Sequence, residues 1–445
     1  MYFTAFFPFF AIAFLFAIRG PNQWAIATAI LSFFQAASPV LLGVGGRPIG
    51  LAPAYCLLPA AFIVLAKARP ERRDDRQNKQ IPADIWLLLY FLVIVAGGAF
   101  LLPRVFQGHV NVLPPRGGLD SGFAIPLKAS ASNVVQIVYT FLNFLLVVTP
   151  FVFAKKKIPI DNSIFLGIAI GASISAAFGF YQVIGFQFGL PWPNTVINSN
   201  LGVAQLEDQT MIGMRRMSAT FLEPSMLSLH FLAAFGVLML GKRHLPTGLM
   251  CLGVLIFSTS TTAYVGLAIL LFLWVITNPD GIDLNMFKFI FPVLLGLIAA
   301  AGADYWFTGG EYMQRLFIKK FEHGSGEVRL NADLLAWRSL ADTYGLGVGV
   351  GSIRASSLIA TLTSSAGVPA ALIFFSFVGT VLYKTKRVRT QLASGFLYGI
   401  LGVLIAWTLS IPDWNLPMFW ILVGAAIAHR VLIQESPNAP VVQPQ

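Results

Sequence analysis

The sequence predicts an all-α integral membrane protein, a polytopic bundle of about 12 to 13 transmembrane helices. Of its 445 residues, 56% are hydrophobic and 11% are charged, and the mean hydropathy is +0.74. Soluble globular chains carry about 25% charged residues. Apolar runs of about 17 to 25 residues recur along the whole chain, and each is long enough to cross a bilayer about 30 Å thick. We therefore expect one polytopic membrane domain over residues 1–433.

The apolar segments that define this bundle follow one another along the chain, at residues 2–18, 24–45, 49–66, 84–102, 132–154, 162–186, 217–240, 245–258, 260–277, 287–305, 364–383, 391–411 and 417–433. The first has no basic residue before it and no small-residue cleavage site, so we expect a retained helix. An alternative topology is that the first two or three segments re-enter the membrane instead of crossing it. The tail 434–445 is rich in proline and polar residues, which favours disorder.

Basic residues in short loops set the expected orientation. They cluster at 67–79, 155–157, 241–244 and 384–389, which fall on one side if each segment crosses once. Cytoplasmic loops carry an excess of Lys and Arg, so that side is predicted to be the cytoplasm. Topology then explains most of the net charge of +11, and no nucleic-acid partner is expected. Cys56 and Cys251 lie in separate apolar runs, which argues against a disulfide.

The largest predicted external loop spans residues 306–363 and is expected to be partly helical. Residues 311–322 and 327–345 have apolar residues at helical spacing, typical of helices that lie at a membrane surface. The loop also supplies cations: Arg315, Lys319, Lys320, Arg329, Arg338 and Arg354.

The stretch "RRMSATFLEPS" (215–225) is the strongest candidate for a functional site. On a helix over 217–240, Arg216 and Glu223 would lie two turns apart on nearly the same face. Pro224 would kink that helix beside the glutamate. A carboxylate within a span is costly and by default marks a functional cavity. His230, deeper in the segment, is expected to be a satisfied interhelical hydrogen bond.

Two arginines in the large loop are stronger candidates for anion binding than the others, because each lies beside a glycine-rich stretch. Arg329 ends "HGSGEVR" (323–329), and Arg354 follows "GLGVGVGS" (345–352). Glycine-rich backbone beside a guanidinium is a plausible anion cradle, because N–H groups and arginine both suit phosphate oxygens. His323 is a candidate base, since its unperturbed pKa is near neutrality. An incidental loop histidine is an equally good interpretation.

Several other residues are candidates for sugar or metal contact. Tyr264, in "STSTTAY" (258–264), and Asp413 with Trp414, in "IPDWNLP" (411–417), fall at predicted external turns. Glu207 and Asp208 are the nearest approach to a metal site, but no metal-binding motif accompanies them. No metal dependence is therefore expected.

The order of these motifs resembles one known family. "SATFLEPS", then "STSTTAYVGL", then "SGEVRLNADLLAW" leading into "YGLGVGVGSIRAS" and "SSAGVPAALIFF", are together similar to the O-antigen ligase and Wzy-type polymerase superfamily of bacterial envelope glycosyltransferases. The "FLEPS" variant looks most like its exopolysaccharide polymerase branch. The resemblance covers roughly residues 130–430.

The resemblance implies a GT-C-like, inverting, metal-independent glycosyltransferase of the bacterial inner membrane, with no cofactor and with its active site facing the periplasm. Its substrate would be undecaprenyl-pyrophosphate-linked oligosaccharide, and a flippase and a chain-length co-polymerase would act in the same pathway. The family's external arginines, thought to hold the pyrophosphate, would correspond to Arg216 and Arg329, and less surely to Arg215 and Arg354. Glu223 is our expected base, with His323 the alternative that the ligases suggest.

Three functions remain open at this point. A polymerase would join lipid-linked repeat units, a ligase would transfer polysaccharide to lipid A core, and a transporter would move such intermediates without chemistry. A transporter favours charges spread through several spans and helices interrupted at mid-bilayer. Here the ionisable residues gather at the predicted external face, which favours an enzyme.

Overall fold

The computed structural model describes residues 1–44, 47–68, 81–114, 124–201, 210–211, 214–241, 244–277 and 325–434, with a few isolated positions between 302 and 314. Within them the chain is an all-α multi-pass membrane protein. Seven helices are long and apolar enough to cross a membrane. They are α4 (Ala83–Val105), α5 (Ala131–Lys155), α6 (Asp161–Gln187), α8 (Pro224–Phe235, continued by a π-helical turn Gly236–Gly241), α12 (Leu358–Arg387), α13 (Gln391–Leu409) and α14 (Pro417–Gln434).

Shorter helices complete the described part of the bundle. Four are apolar: α1 (Phe7–Ala17), α3 (Leu58–Lys67, which follows a 3-10 turn at Tyr55–Leu57), α9 (Leu245–Phe257) and α10 (Thr261–Thr277). The remaining three are α2 (Pro21–Leu31), α7 (Asn194–Ile197) and α11 (Ser325–Asp342).

The predicted spans 24–45 and 49–66 are not continuous helices. Helix α2 ends at Leu31, and after a non-helical stretch the chain forms strand β2 (Val40–Val44), which pairs with β3 (Arg47–Gly50). Strand β1 (Tyr2–Phe3) adds to β2. The apolar run continues across these changes, but its sequence "GVGGRP" (43–48) is rich in glycine, which is typical of a hairpin. Hydropathy alone does not separate such a buried hairpin from a helix.

One end of the bundle, which we name the basic end, gathers four helix ends. Asp84 at the start of α4 accepts a hydrogen bond from Lys384 (2.9 Å) near the end of α12 and pairs with Arg430 near the end of α14. Asp161 at the start of α6 pairs with His429. Two of the four basic clusters predicted to be cytoplasmic, 155–157 and 384–389, therefore lie at the same end of the bundle.

The opposite end, which we name the site end, carries a small hydrophobic core of its own. Residues from the loop after α4, from α11 and from the loop before α12 pack together there, separate from the large core of the bundle. They are Val110, Val112, Leu127, Ala336, Val348, Ile353, Ala355 and Ala360. Two short strands, β4 (Asn111–Val112) and β5 (Ile125–Pro126), pair beside it. The site end thus has a compact cap over part of the bundle.

The face of helix α11 that packs against this cap is not the apolar face that the sequence predicts. Ala332 and Ala336 are buried, whereas Leu330, Leu334 and Trp337 are exposed. The apolar stripe of the sequence therefore faces away from the protein. The predicted span 287–305, the predicted helix 311–322 and residues 435–445 lie outside the described ranges, apart from isolated positions.

The alternating glycines of 345–352 follow from packing. Gly345, Gly347, Gly349 and Gly351 all have φ between +80° and +86°. A Cβ on Gly347 would lie 2.7 Å from the backbone nitrogen of Gly367, and one on Gly351 would lie 2.6 Å from the Ser132 carbonyl oxygen. A side chain at these positions would therefore be both strained and crowded.

Helix α12 is interrupted where this loop enters it. Gly367 is non-helical (φ 88°, ψ 163°), and Pro369 follows. Pro369 has no N–H, so the Ser365 carbonyl is left for Gly349 N–H, at 2.8 Å. The Val368 N–H turns to the Gly345 carbonyl (2.9 Å), which frees the Ser364 carbonyl for Val348 N–H at 2.8 Å. The N–H groups of residues 345–349 all donate within the protein, so these five do not form the predicted anion cradle.

Candidate functional site

Residues 216–223 are not part of a helix, in contrast to the prediction. Helix α8 begins at Pro224, and the preceding residues form an irregular segment along α6. Gln182 of α6 accepts hydrogen bonds from the N–H groups of Ser218 and Ala219, each at 2.9 Å, and donates to the Ser218 hydroxyl at 2.9 Å. Two turns deeper, the hydroxyls of Ser175 and Thr220 are 2.8 Å apart. Buried protein partners thus satisfy the polar backbone of this segment.

A second irregular segment, residues 32–39 after α2, lies against the first. The Thr220 hydroxyl donates to the Phe33 carbonyl at 2.5 Å, and the Ala36 N–H donates to the Thr220 carbonyl at 3.0 Å. Two unwound stretches that are about 180 residues apart in sequence therefore meet at the site end. Non-helical backbone near membrane depth is tolerated where protein or an aqueous cavity surrounds it.

Arg216 is fixed at the turn between α9 and α10. Its Nε donates to the Thr259 hydroxyl and its Nη2 to the Thr259 carbonyl, each at 3.2 Å, and the side chain is partly buried. Thr259 itself has a left-handed backbone, with φ of 47°. The arginine is therefore held at two atoms by one residue.

This turn is recessed from the end of α6. Phe257, the last residue of α9, packs against Phe180 with ring centroids 5.9 Å apart, and α6 continues to Gln187. Seven further residues of helix correspond to about 10 Å. Arg215 lies nearer the rim, where its guanidinium is 5.8 Å from the centre of the Phe186 ring. The two arginines thus occupy different depths at the site end.

Glu223 is the N-cap residue of α8, and Pro224 is its first helical residue. The expectation that Arg216 and Glu223 share a helical face, and that Pro224 kinks the helix, is therefore wrong. Proline is well suited to the first helical position, where its missing N–H has no intrahelical partner to lose. The Glu223 side chain is partly buried and accepts a hydrogen bond from the Ser225 hydroxyl. Its carboxylate lies at the positive end of the α8 dipole.

Asp413 and Arg354 lie near enough at the site end for their charges to interact. Both side chains are exposed to solvent, and the positive charge of Arg354 acts on the Asp413 carboxylate. The surrounding protein raises the pKa of Asp413 by desolvation, although the Asn415 N–H (2.9 Å) and the Arg354 charge oppose this. Asp413 is thus open to water on one side while protein encloses it on the others.

A buried amide network lies beneath Asp413 and holds the turn that carries it. Asn143 Nδ2 donates to Asn415 Oδ1 at 2.8 Å, and the Tyr55 hydroxyl lies 2.8 Å from the Asn415 carbonyl oxygen. Asn415 also donates to Gln136. Sequence reasoning missed these residues, although Gln136 and Asn143 lie two turns apart on one face of an apolar helix. Polar residues repeating on one helical face are the signal that could have found them.

The position of Arg354 is fixed through its backbone neighbours. Its N–H donates to the Leu113 carbonyl at 2.9 Å, and the N–H groups of Ser356 and Ser357 donate to Asp333 Oδ1 at 2.5 and 3.2 Å. Arg329 lies one turn before Asp333 on α11 and therefore shares its face. This arrangement directs the face that carries Arg329 toward the loop that carries Arg354.

Two of the predicted sugar contacts have structural roles. Trp414 is only 4% exposed and packs on Phe91, with ring centroids 6.2 Å apart. The Tyr264 hydroxyl donates to the Ile256 carbonyl at 2.7 Å and so ties α10 to α9. Asp413 is the one of the three that is exposed to solvent.

His230 is buried, and its hydrogen bond is intrahelical rather than interhelical. Its Nδ1 lies 2.9 Å from the Met226 carbonyl oxygen, one turn back, and its ring packs on Phe221 at 4.5 Å between centroids. Its Nε2 has no hydrogen-bond partner among the described residues. His323, Glu207 and Asp208 lie outside the described ranges. Within those ranges, no group of three or more His, Cys, Asp or Glu side chains is placed to hold a metal ion.

The sequence matches no known protein-family model, and no curated protein is significantly similar to it.

Proposed function

We propose that this protein is a glycosyltransferase that joins undecaprenyl-pyrophosphate-linked oligosaccharide repeat units at the periplasmic face of the bacterial inner membrane. The observation that carries the proposal is the recessed Arg216, held at two atoms by Thr259 at the end of a multi-pass helical bundle. A guanidinium at that depth suits a pyrophosphate that enters from the lipid side, because it binds phosphate oxygens through paired N–H groups.

The chemistry requires a cation and a base. The acceptor hydroxyl attacks the anomeric carbon, its oxygen forms the new glycosidic bond, and the bond between that carbon and the pyrophosphate oxygen breaks. Negative charge develops on the departing undecaprenyl pyrophosphate, and arginine can stabilise it. The hydroxyl proton passes to a base, for which we propose Glu223. Attack from the face opposite the leaving group inverts the anomeric configuration.

Glu223 suits that role because it lies at the end of a helix rather than within one. Ser225 orients its carboxylate, and the chain enters α8 directly after it. The same short segment, residues 216–223, supplies both the arginine and the carboxylate. Arg215 at the rim, Arg329 and Arg354 would contact phosphate or acidic sugar groups, and Asp413 would accept hydrogen bonds from sugar hydroxyls.

A ligase that transfers polysaccharide to lipid A core would use the same two groups. A mutant that lacks the protein distinguishes the two functions. Loss of a polymerase leaves single repeat units on the lipid carrier, whereas loss of a ligase leaves long chains on the carrier and bare lipid A core.

A transporter is the second candidate, and the interrupted α12 favours it, since transporters use discontinuous helices near their binding sites. The backbone of 345–349 fills that interruption, however, and donates hydrogen bonds to the freed carbonyl groups. The break therefore does not leave polar backbone open to a transported substrate. Glycosyl transfer is the better supported function.

The test is bond formation by the purified protein in lipid nanodiscs, with a synthetic undecaprenyl-pyrophosphate-linked oligosaccharide and EDTA present. We expect glycosidic products from the wild type and a loss of about 100-fold or more in Glu223→Gln. Glu327→Gln, an exposed glutamate on α11, is the matched control and should keep the wild-type rate. Full activity in Glu223→Gln with none in His323→Ala would move the base to His323. Movement of the lipid-linked substrate across the bilayer without any bond formation would make the protein a transporter.

A further inference from the structure

A groove of about 690 Å³ lies at the site end. Strand β1, the residues that follow it and α7 form its walls. Its lining includes Tyr2, Phe3, Thr4, Leu41, Asn194 and Thr195. The volume is within the range of ordinary ligand pockets, about 300–1,000 Å³. It can therefore hold a molecule considerably larger than a single ion.

The lining has aromatic rings beside neutral polar groups. Tyr2 is 52% exposed and Phe3 is 62% exposed, and Asn194 and Thr195 are exposed as well. Among the described residues that line the groove, none is charged. Ligand pockets are typically lined by aromatic and apolar side chains with a few polar groups. This described lining suits a neutral ligand better than a pyrophosphate.

The groove is connected to the segment that carries Glu223. The Thr4 hydroxyl donates to the Ser38 carbonyl at 2.5 Å, and the Ser38 N–H donates to the Ser199 hydroxyl at 3.1 Å. Two residues before Ser38, the Ala36 N–H donates to the Thr220 carbonyl at 3.0 Å. Residues 36–38 therefore join the groove wall to the irregular segment, three residues before Glu223.

We infer that this groove binds the saccharide part of the substrate, beyond the sugar that reacts. Aromatic rings pack against the C–H faces of sugar rings, and amide and hydroxyl side chains pair with sugar hydroxyls. An acyl or prenyl chain is a poorer fit, because the exposed Asn194 and Thr195 side chains would lose water without gaining hydrogen bonds. This inference rests on the proposed function, since it assigns a further part of the same substrate.

The first test is direct binding of neutral oligosaccharides, namely maltohexaose, cellohexaose and mannohexaose, to the full-length protein in nanodiscs. Saturation-transfer NMR supplies the readout. We expect the wild type to bind at least one of them, and the double variant Tyr2→Ala/Phe3→Ala to bind it about tenfold more weakly. Phe9→Ala, an exposed aromatic residue on α1 outside the groove, is the matched control. Equal affinity of the double variant and the wild type, or no binding by the wild type, would overturn the inference.

The second test uses the proposed reaction. Thr195→Ala and the double variant should make shorter chains than the wild type on a gel, whereas Phe9→Ala should give the wild-type rate and chain lengths. A wild-type chain-length distribution in the double variant contradicts the groove's role. If the wild type binds oligosaccharide through the groove but forms no bond, the proposed function fails while the saccharide site stands.

Discussion

Arg216 donates two hydrogen bonds to a single residue, Thr259, which lies 43 positions later in the chain at the turn between α9 and α10. One bond goes to the hydroxyl and the other to the carbonyl oxygen. The α9–α10 turn and the irregular segment 216–223 are thereby fixed to each other. The position of the guanidinium thus depends on the hairpin as well as on its own segment.

Thr259→Val should weaken this arrangement without removing it. Valine has a similar shape and keeps the carbonyl acceptor, but it has no hydroxyl to accept from Nε. A lost hydrogen bond to a charged group costs about 1.5–3 kcal/mol, so we expect the glycosyl-transfer rate to fall by about tenfold or more. Thr259→Ser, which keeps the hydroxyl, should stay near the wild-type rate. Equal rates for the valine and serine variants would show that the hydroxyl does not position Arg216.

Pro224→Ala should change the free energy of unfolding by less than about 1 kcal/mol, because Pro224 occupies the first helical position. The measurement is unfolding in mixed detergent and SDS micelles. Ala234→Pro, within the same helix, should cost about 3 kcal/mol or more. A large stabilisation by Pro224→Ala would instead indicate that the proline disrupts a helix that starts earlier.

Gly349→Ala should destabilise the protein by about 2–4 kcal/mol. Its φ is +85°, and a Cβ would lie 2.7 Å from the ring carbons of Pro103. Gly108→Ala separates the two causes, because Gly108 has φ of +75° but open space around it. We expect about 1–2 kcal/mol there, from backbone strain alone. If the two variants lose equal stability in the same unfolding experiment, crowding by Pro103 contributes nothing.

Asp413→Asn should stabilise the protein at neutral pH. Desolvation raises the pKa of Asp413 above its usual value of 3.8, so the charged form is disfavoured in the folded state. This carboxyl therefore contributes most stability below pH 3.8, and that contribution is lost as the pH rises through the folded-state pKa. Asparagine stays neutral and still accepts from the Asn415 N–H. Thermal unfolding from pH 4 to pH 8 should show its advantage growing with pH, and a constant or reversed difference would contradict the assignment.

Several elements of the bundle could be predicted from sequence because they are long and uninterrupted. The segments expected at 84–102, 132–154 and 162–186 correspond to α4, α5 and α6 within a few residues. Hydropathy is sufficient there, since each run is longer than a bilayer crossing needs. Hydropathy fails at 24–45, where a helix and an apolar hairpin follow each other in one continuous apolar stretch.

The site could be predicted only in part. The composition of "RRMSATFLEPS" indicates Arg216 and Glu223, but the predicted helix begins seven residues too early, because the largely apolar residues 217–222 match either a helix or a buried loop. The contact between Arg216 and Thr259 joins residues far apart in sequence and has no local signal. The sequence predicts that the glycines of 345–351 contact a ligand. They are instead required because the loop passes close to α12 and α5, an approach that only the three-dimensional structure shows.

The role of Arg216 in glycosyl transfer is best tested by the ratio of undecaprenyl pyrophosphate released to glycosidic bonds formed. Both are measured with a lipid-linked oligosaccharide in nanodiscs with EDTA. The wild type should release one molecule for each bond. Arg216→Ala should reduce both by about 100- to 1,000-fold, whereas Arg338→Ala, an exposed arginine on α11, should match the wild type. Wild-type rates in Arg216→Ala, or release unaccompanied by bond formation in the wild type, would contradict the account.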